Sequence, residues 1–250
     1  MMKDGLWDDM ASDYDESVEN NKDPIIIEYL TSEMEILSAL CEKNCPPNKN
    51  CSIIDMGAGT GRVVFALADK IKNNTLQFYG VEISEPMIKH ANQKNQVHHN
   101  NQNIRFLKHD LTDPNLSDYF DPNSIKIVMC LYNTLGVVPS DKRQMFVDNM
   151  IKIAEPDGLV IITAFNGDDF GFVAPRLYHP MMTMIRQIEK NSFDERNRVF
   201  QNSLGFHSQW FTRAELKSML HSDIEPIPIE VVIDDEPHTF GNVFINKKLM

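Results

Sequence analysis

The sequence predicts an α/β fold, a mostly parallel sheet with helices on both faces, and three observations predict it. Apolar, β-branched runs alternate with helical patterns from about residue 24 to about residue 165. A glycine-rich turn, Gly57-Ala58-Gly59-Thr60-Gly61, follows the first of these runs and opens a helix. Polar residues then end successive runs in turn, Asp55, Glu82, Asp110 and Asn133, at the sheet edge where open α/β folds bind ligands.

Residues 7–23 read as a polar, acidic stretch with Trp7 and Tyr14 as isolated aromatics. Pro24 opens a helix to about Leu40, with Ile26, Tyr29, Leu30, Met34, Leu37 and Leu40 at near-helical spacing. Pro46-Pro47 lies in the loop leading to the first strand, Cys51 to Asp55, and Val63 to Ala68 forms the helix after the glycine turn. The second strand is Leu76–Glu82, and Ser84 caps a helix with Pro86 in its first turn. Ile104–Lys108 and Ile125–Cys130 are strands three and four. A helix from Lys142 to Ile153 and the Pro156-Asp157-Gly158 turn lead to strand five, Leu159–Thr163. The regular alternation then stops. A helix over Pro175–Lys190 and strands over Arg198–Ser203 and Phe206–Phe211 fill a long connection. Thr212-Arg213-Ala214-Glu215 is a capping box for the following helix. Strands over Ile227–Ile233 and Phe240–Asn246 close the chain.

Spacing decides what the glycine turn can bind. A hydride-cofactor fingerprint needs a glycine where Arg62 stands, which disfavours a dehydrogenase, and a P-loop needs a Gly-Lys-Ser/Thr that is absent. Asp55-Met56-Gly57-Ala58-Gly59-Thr60-Gly61 instead resembles motif I of class I S-adenosylmethionine-dependent methyltransferases. Gly80-Val81-Glu82-Ile83-Ser84-Glu85-Pro86-Met87 resembles that family's second signature, and His109-Asp110-Leu111 its third. The resemblance covers about residues 7–165 well. It implies a Rossmann-like seven-stranded sheet whose last two strands form an antiparallel pair, with a cap insertion after strand five. It further implies S-adenosyl-L-methionine as cofactor and no metal. Its cofactor-binding residues would be Asp55, Gly57, Ala58, Gly59, Gly61, Arg62, Glu82, Ile83, Met87, Asp110, Leu111 and Cys130, with Glu82 on the ribose hydroxyls and Asp110 on the adenine amino group.

The run Cys130-Leu131-Tyr132-Asn133-Thr134-Leu135-Gly136 follows strand four, and an Asn-x-Leu-Gly run there is similar to small-molecule methyltransferases, including glycine- and sarcosine-type N-methyltransferases. Tyr14, in Asp13-Tyr14-Asp15, matches an N-terminal Tyr-Asp signature of the family. Tyr14, Tyr132 and Asn133 are therefore the candidate catalytic residues. The expected reaction is methyl transfer to a small-molecule acceptor, an amine of an amino-acid-like substrate, with one of Arg176, Arg186, Arg196 or Arg198 on its carboxylate. The alternatives are O- or C-methylation of an aromatic or quinone-like molecule in a pocket lined by Met181, Met182 and Met184, and a non-catalytic cofactor-binding partner subunit.

Composition sets the remaining expectations. With 250 residues, 42% of them hydrophobic, one methyltransferase domain over 1–250 is expected, with an N-terminal helical lid over 1–48 and the cap insertion over 166–211. A net charge of −12 and the absence of a basic stripe disfavour nucleic acid and, less strongly, an RNA- or protein-methylating enzyme. No apolar signal-peptide core or membrane-spanning run is present, so no membrane partner and a cytoplasmic location are expected. Cys41, Cys45, Cys51 and Cys130 lack a second metal-binding pair and read as reduced structural thiols.

Overall fold

A computed structural model describes residues 5–47, 49–99, 102–120 and 124–247. Residues 1–4, part of the acidic start expected to lack a signal-peptide core, lie outside the described residues. Strands β1 (Cys51–Met56), β2 (Leu76–Glu82), β3 (Ile104–Lys108), β4 (Ile125–Cys130) and β5 (Ala154–Phe165) are joined through helices α3 (Arg62–Lys70), α4 (Glu85–Lys94), α5 (Thr134–Val137) and α6 (Arg143–Ile153). After α9 (Arg213–Met219) the chain closes with β9 (Ile227–Ile233) and β10 (Glu236–Lys247). The sheet order is β3-β2-β1-β4-β5-β10-β9, with β10 antiparallel to both of its neighbours.

Strand alternation divides the core between two faces. Ile53, Met129 and Ile161 belong to one buried cluster, and Ile54, Val128 and Val160 to the other. In register, Asp55 faces Gly80 on β2 and Met129 on β4, so the polar ends of these strands converge on one edge.

Two sequence expectations need correction, and one helix is added to them. Within the span expected as an N-terminal helical lid, the polar, acidic stretch over 7–23 shows no helical pattern of its own, yet Leu6–Ser17 forms helix α1. Its buried side chains are only Leu6, Met10, Ala11 and Ser17, a stripe too narrow to stand out, while Asp8 and Asp9 suit the positive end of a helix. The helix expected over Pro175–Lys190 begins earlier as α7 (Phe170–Tyr178), because Phe170, Val173, Ala174 and Leu177 form an apolar stripe that starts before the proline. After one tight turn, α8 (Met182–Ile185) ends where Arg186 adopts φ +61°.

The second correction concerns the cysteines. Helix α2 (Pro24–Asn44) ends beside the start of β1, which brings Cys45 and Cys51 to a Cα separation of 5.8 Å, and they form a disulfide. Cys41 and Cys130 remain free and buried. Between α8 and α9, β6 (Phe193–Asp194), β7 (Val199–Gln201) and β8 (His207–Gln209) make a small antiparallel sheet. Among the described residues, no helix is long and apolar enough to cross a membrane.

Candidate active site

The β1 turn places its three glycines in backbone conformations that favour glycine, with φ of +94°, +54° and +87° at Gly57, Gly59 and Gly61. At two of them a side chain would also have no room. A Cβ on Gly57 would stand 2.5 Å from Thr134 Cγ2, and one on Gly61 would strike the rings of Phe65 and Phe106. Tyr14, on α1, lies across the turn with its ring edge 3.6 Å from where a Gly59 Cβ would be.

Glu82 ends β2 and is nearly buried, at 7% exposure. One carboxylate oxygen accepts from Gly59 N at 3.0 Å, and the other from Ile83 N at 2.8 Å and Ser84 N at 3.0 Å. Burial raises its pKa, and these backbone donors pull the other way. Three of a carboxylate's roughly four acceptor positions are thus occupied. Ser84 Oγ donates to Asp8 on α1 at 2.6 Å, and Thr60 Oγ1 to Asp15 at 2.5 Å, so α1 is tied across this edge of the sheet.

A cavity of about 460 Å³ opens here. Of the residues expected to bind cofactor, Gly57, Gly59, Glu82, Ile83, Met87, Asp110 and Leu111 line it, as do all three candidate catalytic residues, Tyr14, Tyr132 and Asn133. Asp110 faces it while one oxygen holds Thr112 N and Oγ1, both at 2.8 Å. Asp55, Ala58, Gly61, Arg62 and Cys130 are not on its wall. They lie behind it: the Asp55 carboxylate is buried with Oδ1 unpartnered, and burial, ahead of a lowering by Arg62, raises its pKa to about 7. Burial opposes a charge on Arg62, but the Glu33 carboxylate outweighs that and raises its pKa.

The far half of the cavity is walled by Trp7, Phe165, Tyr178, Met181, Met184 and Phe206. Tyr132 Oη approaches Met181 Sδ at 3.4 Å, and burial raises the pKa of Tyr14, Tyr132 and Tyr178, keeping all three hydroxyls protonated at neutral pH. None of the four cap arginines lines it. Arg176 lies 3.7 Å from the Phe172 ring centroid, Arg186 pairs with Asp13 and Arg198 with Glu215. Asn133 is buried, with Nδ2 donating to Ser208 Oγ at 2.9 Å and to the Gln209 carbonyl at 3.1 Å, while Oδ1 has no partner.

Sequence reasoning missed Asp8, Thr163 and, above all, Glu33. Glu33 is completely buried on α2 in the same stripe as Ile26, Tyr29 and Leu37. A lone carboxylate on an apolar stripe was the available signal.

The donor set fits S-adenosylmethionine on the structure's own terms. Three buried carboxyl groups, Glu33, Asp55 and Glu82, gather here, and the Arg62 guanidinium is paired with Glu33 at 3.1 Å, so acceptor oxygens outnumber cations, which suits a cationic ligand. Gly57 and Gly59 line the cavity, and at Gly59 a Cβ would meet only ordinary contacts, so the turn presents bare backbone to a ligand there.

A family model described as a methyltransferase domain matches residues 53–158. No curated protein sequence matches the chain significantly. Among solved structures, an S-adenosylmethionine-dependent methyltransferase from Methanosarcina mazei is 19% identical, with 81% of this chain and 94% of that one covered and a TM-score of 0.58. The 1,6-didemethyltoxoflavin-N1-methyltransferase of Burkholderia thailandensis, solved with its didemethyltoxoflavin and S-adenosylhomocysteine, is 15% identical over 96% and 87% of the chains, with a TM-score of 0.59. A protein from Pyrococcus horikoshii OT3 is 18% identical over 88% and 91%, with a TM-score of 0.60. These likenesses, over 88% and 96% of this chain, extend the fold beyond the matched domain.

Proposed function

We propose that this class I S-adenosylmethionine-dependent methyltransferase methylates an uncharged, planar aromatic or heteroaromatic small molecule. The observation that carries the reading is the far half of the cavity, where aromatic rings and methionine thioethers form the wall and no arginine reaches it. Apolar walls of this kind bury a ring well, and thioethers adapt to its outline. An amino-acid-like amine, the sequence expectation, needs a cationic partner for its carboxylate, and the basic residue of the lining, Lys142, is engaged beside Asp110, where it donates to Thr112 Oγ1 at 3.2 Å. Arg176, Arg186 and Arg198 are held elsewhere by Phe172, Asp13 and Glu215. The Burkholderia enzyme's heteroaromatic ligand supports the same reading by likeness.

Bound cofactor supplies an activated methyl group on a sulfonium. In this reading Glu82 holds the ribose hydroxyls, Asp110 the adenine edge, and the glycine turn the amino-acid end, with Asp55 behind it as a buried countercharge. Tyr14 and Tyr132, protonated at neutral pH, orient the acceptor by donating hydrogen bonds and remove no proton. Asn133 is fixed on the cavity wall by its bonds to Ser208 and the Gln209 carbonyl, and the proton that an O–H or N–H acceptor loses on methylation passes to water. The chain's main task is to align acceptor and methyl in a dry cavity, which supplies much of the rate gain in transfer reactions. The segment over 166–211 covers the acceptor, and α1 covers the cofactor.

Purified protein is to be given S-adenosylmethionine with uncharged aromatics, among them 2-naphthol and 8-hydroxyquinoline, and separately with glycine and sarcosine, counting S-adenosylhomocysteine released. Turnover of the aromatics alone is expected. Turnover confined to the amino acids overturns the acceptor class. Tight S-adenosylmethionine binding without turnover of any acceptor favours the partner-subunit alternative.

A further inference from the structure

Tyr132 and Asn133 stand side by side in the left-handed region, with φ of +51° and +59°, although neither is glycine. Side chains rarely adopt this conformation, and two in succession persist only where surroundings over-determine them. What over-determines them is a buried relay that starts outside the matched domain. Thr163, at 0% exposure near the end of β5, accepts Tyr132 N on its hydroxyl at 2.7 Å and Asn133 N on its carbonyl at 3.0 Å. Its hydroxyl proton is donated to Glu33 Oε1 at 2.5 Å. The other Glu33 oxygen accepts from Arg62 Nη2 at 3.1 Å, and the Arg62 guanidinium lies 5.4 Å from the Tyr132 ring centroid.

The direction of each bond is dictated by chemistry. A Glu33 carboxylate can only accept, so the Thr163 hydroxyl must donate to it, and its oxygen is then turned towards Tyr132 N. The charge on Glu33 thus fixes the rotor that receives the backbone of the site loop. Arg62 keeps that charge compensated and at the same time covers the tyrosine ring from behind.

We propose that Glu33 and Thr163 are positioning residues that hold the Tyr132–Asn133 turn in its left-handed form, and so set where these two residues stand in the cavity wall. The proposal rests on the reading of those two side chains as acceptor-facing. Helix α2, beyond the residues matched by the domain model, is then part of the acceptor site through this relay rather than through contact.

The test separates this role from that of a simple countercharge for Arg62. Thr163→Val, Thr163→Ser and Glu33→Gln are compared by hydrogen exchange of the 130–136 segment, calorimetry with S-adenosylhomocysteine, and binding of 2-naphthol. Val keeps the shape and loses the relay, whereas Ser keeps it. Thr163→Val is expected to speed exchange at the amides of Tyr132 and Asn133 roughly tenfold or more by opening the turn locally, and Ser to remain near wild type. Affinity for S-adenosylhomocysteine is expected to stay within about twofold, and 2-naphthol affinity to fall about tenfold, the size of one lost oriented contact. Glu33→Gln, isosteric and uncharged, carries the same exchange test should Val fail to fold. Unchanged exchange in the segment overturns the proposal. So does acceleration spread evenly over the sheet with Ser as damaging as Val, which marks a purely structural residue. If 2-naphthol does not bind even the wild-type protein, the acceptor class is at fault, and the exchange result alone decides the positioning role.

Discussion

Replacing Glu82 perturbs two things at once. The wild-type carboxylate holds three backbone donors, at Gly59, Ile83 and Ser84, and faces the cavity with the acceptor capacity that remains. On the cofactor side, Glu82→Ala leaves ribose hydroxyls without their partner, at about 1–3 kcal/mol. That converts to a roughly 5- to 140-fold weaker dissociation constant. On the protein side, the three donors turn to water and the glycine turn loosens, so the cofactor-free melting temperature should fall as well, by about 2–4 °C per kcal/mol lost in a chain of this size. Glu82→Gln sharpens the reasoning. One of its two terminal atoms becomes an N–H₂ donor, facing either Gly59 N or the Ile83 and Ser84 pair, so a substitution that conserves shape should weaken binding nearly as much as Ala. Calorimetry with S-adenosylhomocysteine measures both variants directly. A folded Glu82→Ala protein that binds within about twofold of wild type would falsify the assignment of Glu82 to the ribose.

Three further outcomes follow from the same geometry. Burial raises Asp55 to about 7 in the folded protein, well above its unfolded value near 3.9, so the folded state holds the proton longer and stability is lost as pH rises from about 4 to about 7. Denaturant melts of the cofactor-free protein should show that slope and Asp55→Asn should remove it; equal slopes in the two proteins sink the idea. Arg176→Ala and Arg198→Ala should leave the acceptor KM within about twofold, because both side chains are engaged away from the cavity, and a large rise in either would revive a carboxylate-bearing substrate. Cys45→Ser should cost about 2 kcal/mol by the loop-entropy estimate for so short a loop, and the same loss should appear in the wild type on adding a dithiol reductant. Melting curves that ignore both treatments would mean the disulfide adds no stability.

The nucleotide-binding half of the protein was legible because its signals are local. Strands β2, β3 and β4 run over the residues their apolar patterns marked, since buried parallel strands are continuous apolar runs bounded by turns. The glycine turn was legible because it needs backbone conformations that only glycine takes easily. Helix α1 was not, because its support comes from contacts distant in sequence, Asp8 to Ser84, Asp15 to Thr60 and Asp13 to Arg186, rather than from a broad apolar stripe of its own. The Cys45–Cys51 bridge was missed for a related reason: the turn between α2 and β1 decides whether the two thiols meet, and composition does not.

The acceptor half failed to declare itself for a deeper reason. Its arginines read as ligands because arginine in an acidic chain is conspicuous, yet three of the four found a partner nearer to hand, a ring at Phe172 or a carboxylate at Asp13 and Glu215. In a chain with 36 acidic and 24 basic residues, a guanidinium seldom lacks a carboxylate to pair with, and a free one reaching into an apolar cavity would have to be desolvated there. What is scarce in such a chain is uncharged aromatic surface turned inward, and Tyr132, Phe165, Tyr178 and Phe206 supply it around one cavity. The carboxyl groups of Asp55 and Glu82 by the glycine turn supply the complementary half, with Arg62 paired to Glu33 beside them. On the proposed reading the carboxyl groups draw a cation and the rings a flat apolar body, and the Tyr132–Asn133 turn, on the same wall, stands where the two would meet.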